Sequence, residues 1–306
     1  MRNIVVIPEV DETLVKALQN HLCSRTQDIH MLLKEFHNVY IKNVTAKPRT
    51  VYWSDELKKH LLYKRGKKQV IEKIVSNIKR GESINQYLSE KSDQLNHYDL
   101  SLSHFGVHHL HLGESIQARG SRAGKVKGTK CLLFIRFTET DAYLLDILGH
   151  GMRSGFLNMH IVRVMYKNWP KSVEPYRIKS AVGVAVKYTD EEAAELIENN
   201  VNVIVEIAPE KVFMLPGMGT TTAGIPLVVE RRVDKTIREL RAIVQIVKEN
   251  SCATATLIRK LTGTWCNVIR LRGRIRAGLL YIYDTGSGCI FTLQDNHLVV
   301  SVPDEF

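Results

Sequence analysis

Two apolar segments joined by a short polar turn place the strongest constraint on the fold of this chain. Lys130-Cys-Leu-Leu-Phe-Ile-Arg-Phe137 and Ala142-Tyr-Leu-Leu-Asp-Ile-Leu148 are rich in the aliphatic and aromatic residues that favour extended structure. Thr138-Glu-Thr-Asp141 lies between them and is typical of a turn. The pattern predicts a β-hairpin, and a hairpin of this kind requires a small antiparallel sheet around it.

Helical and extended patterns on both sides of the hairpin set the fold class. We predict helices over 11–22, 84–94, 157–167, 189–199 and 234–249, and a helical region that starts at 54–57 and continues over 67–80, from amphipathic spacing and capping signals. We predict strands over 4–7 (an edge strand), 108–112, 182–187, 201–207 and 212–215, and four short strands from Trp265 onward. The histidine segment 104–111 fits two patterns: a strand places His104 and His108 on one face, whereas a helix places His104, His108 and His111 on one face at a spacing that can hold zinc. Gly106 and the β-branched Val107 favour the strand.

These elements predict an α+β protein with a small antiparallel core. N-terminal helices precede this core, and a C-terminal α/β plus β-rich extension follows it. The expected segments are an N-terminal helical basic region at 1–97, a catalytic core at 98–180, an α/β extension at 181–250 and a β-rich tail at 251–306.

Composition excludes several classes of protein. With 306 residues the chain can bury a sizeable core, and 44% hydrophobic and 25% charged residues are ordinary for a globular protein. No apolar run is long enough to predict a membrane span, and the N-terminal run is too short for a signal peptide. Five cysteines without paired spacing fit a reduced compartment, so we expect a cytoplasmic protein without a disulfide framework.

Positive charge is concentrated in three blocks. Residues 58–80 contain nine Lys or Arg and one acid, whereas residues 119–136 and 259–276 each contain six and no acid. Such blocks are the electrostatic footprint of a polyphosphate partner, so we predict that the chain binds RNA, with tRNA and mRNA both open. The cations expected to contact RNA are Lys64, Arg65, Lys67, Lys68, Arg119, Arg122, Lys125 and Lys127.

Histidines are crowded in front of the hairpin. Five of the twelve histidines fall between His97 and His111. Histidine transfers protons near neutral pH and also binds metals, so the cluster indicates acid–base chemistry, a metal site or phosphate contact. As a strand, 108–111 places His109 and His111 on one face, and His150 follows the second hairpin strand between two glycines.

A metal-free ribonuclease needs an imidazole base, an imidazole acid and cations for the charge on phosphorus. Our candidates for these catalytic roles are His109, His111, His150 and Arg136. We expect no metal and no organic cofactor.

The segment Cys131–His150 resembles the paired central strands of RelE-type ribonuclease toxins, in which an arginine-bearing strand turns into an aliphatic strand ending near a histidine. Together with His-His-Leu-His-Leu-Gly113 and the stretch Gly81–Ser89, it also resembles an uncharacterised bacterial family. The toxin likeness covers about 20 residues of this chain and the wider pattern about 90. It implies the small α+β ribonuclease fold, RNA cleavage in a toxin or phage-defence setting, and an antitoxin or defence-complex protein as a partner.

Two other functions remain open at the level of sequence. A metal-dependent nuclease would use the histidine cluster with Asp99 or Glu114 as ligands. A nucleic-acid-binding or partner-binding component of a defence system would bind without turnover. The loop Pro216–Gly224 lacks the ending of a P-loop, and we expect an ordinary connector there.

Overall fold

A computed structural model describes residues 4–63, 65–120, 123–149, 157–276 and 278–303. The chain forms two compact units, one made of Met1–His37 with Glu230–Phe306 and the other of Asn38–Val229. We call them the discontinuous unit and the central unit. The predicted N-terminal segment 1–97 is therefore shared between the two units, whereas the predicted core 98–180 lies within the central unit.

Groups of helices and groups of strands follow one another along the chain. The strands are β1 (Val5–Glu9), β2 (Thr50–Trp53), β3 (His108–His111), β4 (Cys131–Phe137), β5 (Asp141–Gly149), β6 (Ile204–Ala208), β7 (Lys211–Met214), β8 (Val268–Arg276), β9 (Leu279–Asp284), β10 (Ile290–Gln294) and β11 (His297–Ser301). The helices are α1 (Val10–Leu22), α2 (Ile29–Lys42), α3 (Asp55–Tyr63), α4 (Lys68–Arg80), α5 (Leu100–Phe105), α6 (His160–Asn168), α7 (Pro170–Val173), α8 (Asp190–Glu198), α9 (Leu227–Glu249) and α10 (Ser251–Thr262). The chain contains both helices and strands, and most of the strands form mixed sheets. The predicted α+β class is therefore confirmed.

A four-stranded sheet with the order β2-β5-β4-β3 organises the central unit. The predicted hairpin is its middle pair, since β4 and β5 run antiparallel with Phe137 opposite Ala142. The sheet is mixed, because β2 joins β5 in parallel. One sheet face packs against α3 and α4, and the other packs against α5, α6 and α8. Both faces of the hairpin are buried, which explains its nearly continuous apolar sequence.

A β-bulge interrupts the pairing of β4 with β5. Phe134 lies opposite Asp146, whereas the next residue, Ile135, lies opposite Leu144, so Leu145 is an extra residue on β5. A bulge changes the direction of the side chains that follow it and is frequent beside functional sites. Here it places Asp146 in register with Phe134, on the face that packs against α6.

The discontinuous unit contains a five-stranded sheet with the order β1-β8-β9-β10-β11. β1 is the edge strand predicted from sequence and pairs in parallel with β8. Helix α1 packs so closely on β8 that a Cβ at Gly273 would lie 2.8 Å from the Cβ of Leu14. The tail contains the four predicted strands, β8 to β11, but a turn expected at Gly273 is wrong, because Gly273 lies within β8 and pairs with Ile282 of β9.

Other local predictions are wrong. His104 belongs to α5, because Asp99 caps this helix through the Leu102 amide and Gly106 ends it with a left-handed backbone. Residues 182–187 form no strand, and residues 84–94 contain two short 3₁₀ turns rather than an α-helix. The sequence reading also omitted β2, α2 and α10. Among the described residues, no helix is both long and apolar enough to cross a bilayer.

Candidate functional site

A buried aspartate that binds two histidines is the most distinctive polar arrangement in the central unit. The Asp146 side chain is fully buried. Its Oδ1 lies 2.5 Å from His60 Nδ1, and its Oδ2 lies 2.9 Å from His160 Nε2. The amide of Ile147 also donates to Oδ1 at 2.7 Å. A buried carboxylate needs such partners to offset its lost hydration, and here two of them are ionisable.

Local sequence signals position both histidines. Helix α3 begins after Ser54, whose amide donates to the Leu144 carbonyl of β5 and whose hydroxyl oxygen accepts from the Leu57 amide. This anchor places α3 along the edge of β5, beyond the end of β2, with His60 in its last turn. Helix α6 begins at His160, where the Asn158 side chain accepts from the His160 amide.

Helices α3 and α6 run in opposite directions at this site. At the far end from the histidines, Glu56 accepts from Lys167 at 2.5 Å and from Asn168 at 2.7 Å. These bonds hold the pKa of the Glu56 carboxyl at about 2, although burial alone would raise it. Hydrogen bonds therefore connect the start of α3 to the end of α6. Asp146 connects the end of α3, through His60, to the start of α6, through His160.

The hydrogen bonds define what each imidazole offers to a substrate. With Asp146 ionised, each ring donates to it, so His60 carries its proton on Nδ1 and His160 on Nε2. His60 Nε2 and His160 Nδ1 have no hydrogen-bond partner among the residues the structure describes. The side chains are 45% and 38% exposed. Each ring therefore presents one nitrogen to solvent while its other nitrogen is held by the carboxylate.

An aromatic ladder lies on β2 and β5 before the bulge. Tyr52 stacks on Tyr143 with ring centroids 5.2 Å apart, and Trp169 packs against Tyr143 at 5.0 Å. Tyr52 is 40% exposed. Tyr143 lies three residues before Asp146 on the same strand, and Trp169 directly follows α6, which begins with His160. This exposed aromatic face lies toward the end of α6 that is far from His160, about 10 Å along β5 from Asp146, and such a face is suited to stacking a nucleobase.

The histidines of the predicted cluster are mostly shielded from solvent and contact other protein groups. His109 and His111 share one face of β3, as predicted, because residues alternate across a strand. His111 is 6% exposed and its Nδ1 accepts from the Thr129 amide at 3.1 Å. His109 Nδ1 lies 3.5 Å from Asp99 Oδ2, and its ring packs 6.2 Å from that of Phe134. His150 lies outside the described residues.

Two other histidines of the cluster are neutral core residues. His108 Nε2 is 3.1 Å from the Ile41 carbonyl oxygen, and burial lowers its pKa to about 4. His104 is fully buried, neither ring nitrogen has a hydrogen-bond partner in the described part of the chain, and burial lowers its pKa to about 4. Protonation of either ring would place a charge in the apolar core.

The pKa of His104 predicts acid sensitivity. An unfolded chain takes up this proton near pH 6.5, whereas folded His104 takes it up only near 4. The unfolded state binds more protons between these values, so stability is complete above about pH 6.5 and is lost as the pH falls toward about 4, by up to about 1.4 kcal/mol per pH unit. We expect a lower melting temperature at pH 5 than at pH 7.5, and a smaller decrease in His104→Leu. An equal decrease in both proteins would assign the acid sensitivity to other groups.

Arg136, a predicted catalytic residue, is 8% exposed. Its Nη1 donates to the Ser172 carbonyl at 3.0 Å and its Nη2 to the Tyr176 hydroxyl at 3.2 Å. Its guanidinium also lies 5.3 Å from the centre of the Tyr176 ring. These contacts tie the hairpin to residues 172–176 and keep Arg136 shielded from solvent.

The predicted RNA-binding cations have different surroundings. Lys125 is only 12% exposed, forms a 3.0 Å ion pair with Asp93 and donates to the Asn85 carbonyl. Lys67 donates to the Leu112 carbonyl at 3.3 Å, and Lys68 lies 3.8 Å from Glu72. Arg119 and Lys127 are exposed, as expected for phosphate contacts. Lys64 and Arg122 lie outside the described residues, as does the side chain of Arg65.

The glycine-rich loop 216–224 is a connector, as expected. The amides of Gly217 and Gly219 donate to the carbonyls of His104 and Ser103, both at 2.8 Å. These amides are consequently occupied by the end of α5.

Metal-ligand geometry is absent from the described ranges, in which no group of three or more His, Cys, Asp or Glu side chains is arranged to hold an ion. At Asp146 the imidazole nitrogens point at the carboxylate oxygens rather than at a common point.

No protein-family model, curated protein or solved structure matches this chain.

Sequence reasoning missed His60 and His160, and it considered Asp146 only as a carboxylate near the histidine cluster for a metal site. One available signal was the position of Asp146, an acid between Leu145 and Ile147 in an otherwise apolar strand. A charged residue in a strand buried on both faces requires a partner, and two histidines supply it here.

Proposed function

We propose that the protein is a metal-independent endoribonuclease whose acid–base pair is His60 and His160, with Asp146 as the residue that positions both. The observation that carries this proposal is the fully buried carboxylate with one half-exposed imidazole on each oxygen. Two imidazoles beside each other supply both proton transfers that RNA cleavage requires.

The reaction balances with these groups alone. One neutral imidazole takes the proton from a ribose 2′-hydroxyl while that oxygen forms a bond to phosphorus. The bond from phosphorus to the 5′-oxygen breaks, and the second ring, as imidazolium, gives its proton to the leaving oxygen. The products are a 2′,3′-cyclic phosphate and a 5′-hydroxyl. Asp146 stabilises whichever ring is protonated, because it accepts a hydrogen bond from each.

Charge and aromatic surface support RNA as the substrate. The chain has a formal net charge of +11, which favours a polyanion. A cation that a phosphate could contact is also near the site. Arg163 lies about one helical turn after His160 on α6 and forms a 2.6 Å ion pair with Asp190. The Tyr52–Tyr143 stack, whose Tyr143 lies on the same strand as Asp146, supplies an aromatic surface for a base of the same RNA strand.

The test is cleavage of a labelled single-stranded RNA with and without EDTA. We expect equal cleavage rates in both conditions and products that end in a 2′,3′-cyclic phosphate. A matched oligonucleotide with 2′-O-methyl groups lacks the attacking hydroxyl and should remain intact. Loss of cleavage in EDTA would favour the metal-dependent alternative, and binding without turnover would favour a non-catalytic component.

A further inference from the structure

Strand β8 carries a row of arginines on one face of the sheet in the discontinuous unit. Its sequence, Val-Ile-Arg-Leu-Arg-Gly-Arg-Ile-Arg, has an arginine at every second position from Arg270 to Arg276. Ile269 and Leu271 are fully buried against α1, whereas Arg270, Arg272, Arg274 and Arg276 point to the opposite face. Adjacent arginines on that face are about 7 Å apart, and the row is about 20 Å long.

A second row, of tyrosines, runs beside the arginines on β9. Tyr283 lies opposite Arg272 and Tyr281 lies opposite Arg274 in the antiparallel register. Both tyrosines are half-buried, so part of each ring is accessible. Directly opposed residues have Cβ atoms about 5 Å apart, so cations and aromatic rings alternate within one patch.

Little negative charge offsets this row. Glu9 of β1 lies 2.7 Å from Arg272 and 3.6 Å from Arg270. It is the single acid on this face among the described strands. β1 ends at Glu9, so Arg274 has no ion-pair partner among the described residues. Like charges this close repel one another, and an exposed row of them adds nothing to the hydrophobic core.

We infer that this face binds single-stranded nucleic acid, with the arginines following the phosphates and Tyr281 and Tyr283 stacking bases. Proteins that bind single strands without sequence preference combine a cationic track with aromatic platforms, and here the two rows lie side by side. An acidic protein would satisfy the arginines but would not require accessible rings in register with them. The inference stands apart from the proposed nuclease activity, since it uses no residue of the His60–Asp146–His160 site.

The test is fluorescence anisotropy of the full chain with a labelled 2′-O-methyl oligouridylate of about 12 nucleotides, a length that a single-strand-binding fold can cover. This probe cannot form the cyclic product, so binding is measured without cleavage. We expect Tyr281→Ala to weaken binding by about 5- to 100-fold. Arg274→Ala should reduce the slope of log affinity against log salt by about 0.7, and Arg274→Lys should restore it.

Arg238→Ala is the matched control, because Arg238 is an exposed arginine on α9 of the same unit. We expect it to bind like wild type. Arg274 is exposed, so its replacement should leave the melting temperature unchanged and the binding result interpretable. Unchanged affinity and salt slope in both Tyr281→Ala and Arg274→Ala would overturn the inference. Equally effective competition by polyglutamate would also overturn it, in favour of an acidic protein partner.

Discussion

Replacement of His60 by alanine is expected to lower the rate of RNA cleavage by about 100- to 10,000-fold, and replacement of His160 should do the same. Each ring transfers one of the two protons, so neither can substitute for the other. Each ring donates a hydrogen bond to the buried Asp146 carboxylate, so its loss should also lower stability by about 1–3 kcal/mol, which leaves the chain folded. The measurements are single-turnover cleavage rates and melting temperatures of the two variants beside wild type.

His109→Ala is the informative comparison for these variants. The sequence favoured His109 as a catalytic residue, whereas the structure pairs it with Asp99 and packs it beside Phe134. We expect His109→Ala to retain cleavage. Full activity in His60→Ala together with loss in His109→Ala would move the site back to the histidine cluster between 97 and 111.

Asp146→Asn would separate positioning from proton transfer. Asparagine keeps the shape of the side chain but has no charge with which to stabilise an imidazolium. We expect slower cleavage with RNA affinity close to that of wild type, because an asparagine side chain accepts hydrogen bonds only through its oxygen and cannot orient both rings. A cleavage rate equal to that of wild type would show that Asp146 does not position the rings.

Gly217→Ala is expected to destabilise the central unit by about 3 kcal/mol. A Cβ at Gly217 would lie 2.5 Å from the carbonyl oxygens of Leu102 and Ser103 and 2.6 Å from the Gly106 amide nitrogen. All three neighbours are backbone atoms of α5 and its cap, so relief requires the helix to move. Chemical denaturation measures the effect as a lower midpoint with an unchanged slope.

Gly183→Ala is a suitable control for this substitution. No atom lies within 4 Å of the position that its Cβ would take, so we expect stability close to that of wild type. Similar stability of Gly217→Ala and Gly183→Ala would show that the loop 216–224 adapts without disturbing α5.

The hairpin and most helices could be predicted because their signals are local. β4 and β5 are each identified by a continuous run of apolar residues, and the Thr189 capping box is complete within four residues. The strand 182–187 was predicted from its valines, but Val182 is 82% exposed and the segment pairs with no sheet. Hydrophobic residues alone do not make a strand when tertiary pairing is missing.

The candidate site could not be predicted because it depends on distant contacts. His60 and Asp146 are 86 positions apart in sequence. They meet because β2 pairs in parallel with β5, which brings the following helix α3 beside β5. The bulge at Leu145 turns Asp146 toward α6, where His160 lies. Neither the parallel pairing nor the bulge has a local sequence signal, whereas histidines close in sequence are easily noticed.

The pairing of β1 with β8 has a consequence for how the protein is made. The discontinuous unit cannot complete its sheet until β8 has left the ribosome, more than 250 residues after β1. Residues 38–229 form a continuous unit and can fold while the later strands are still being synthesised. During that interval β1 and α1 lack their partner strand, so the apolar surface that β8 later covers stays exposed. A nascent chain arrested before β8 would therefore contain the His60–Asp146–His160 site but lack the arginine row, and its first 37 residues would be the segment most exposed to chaperones and proteases.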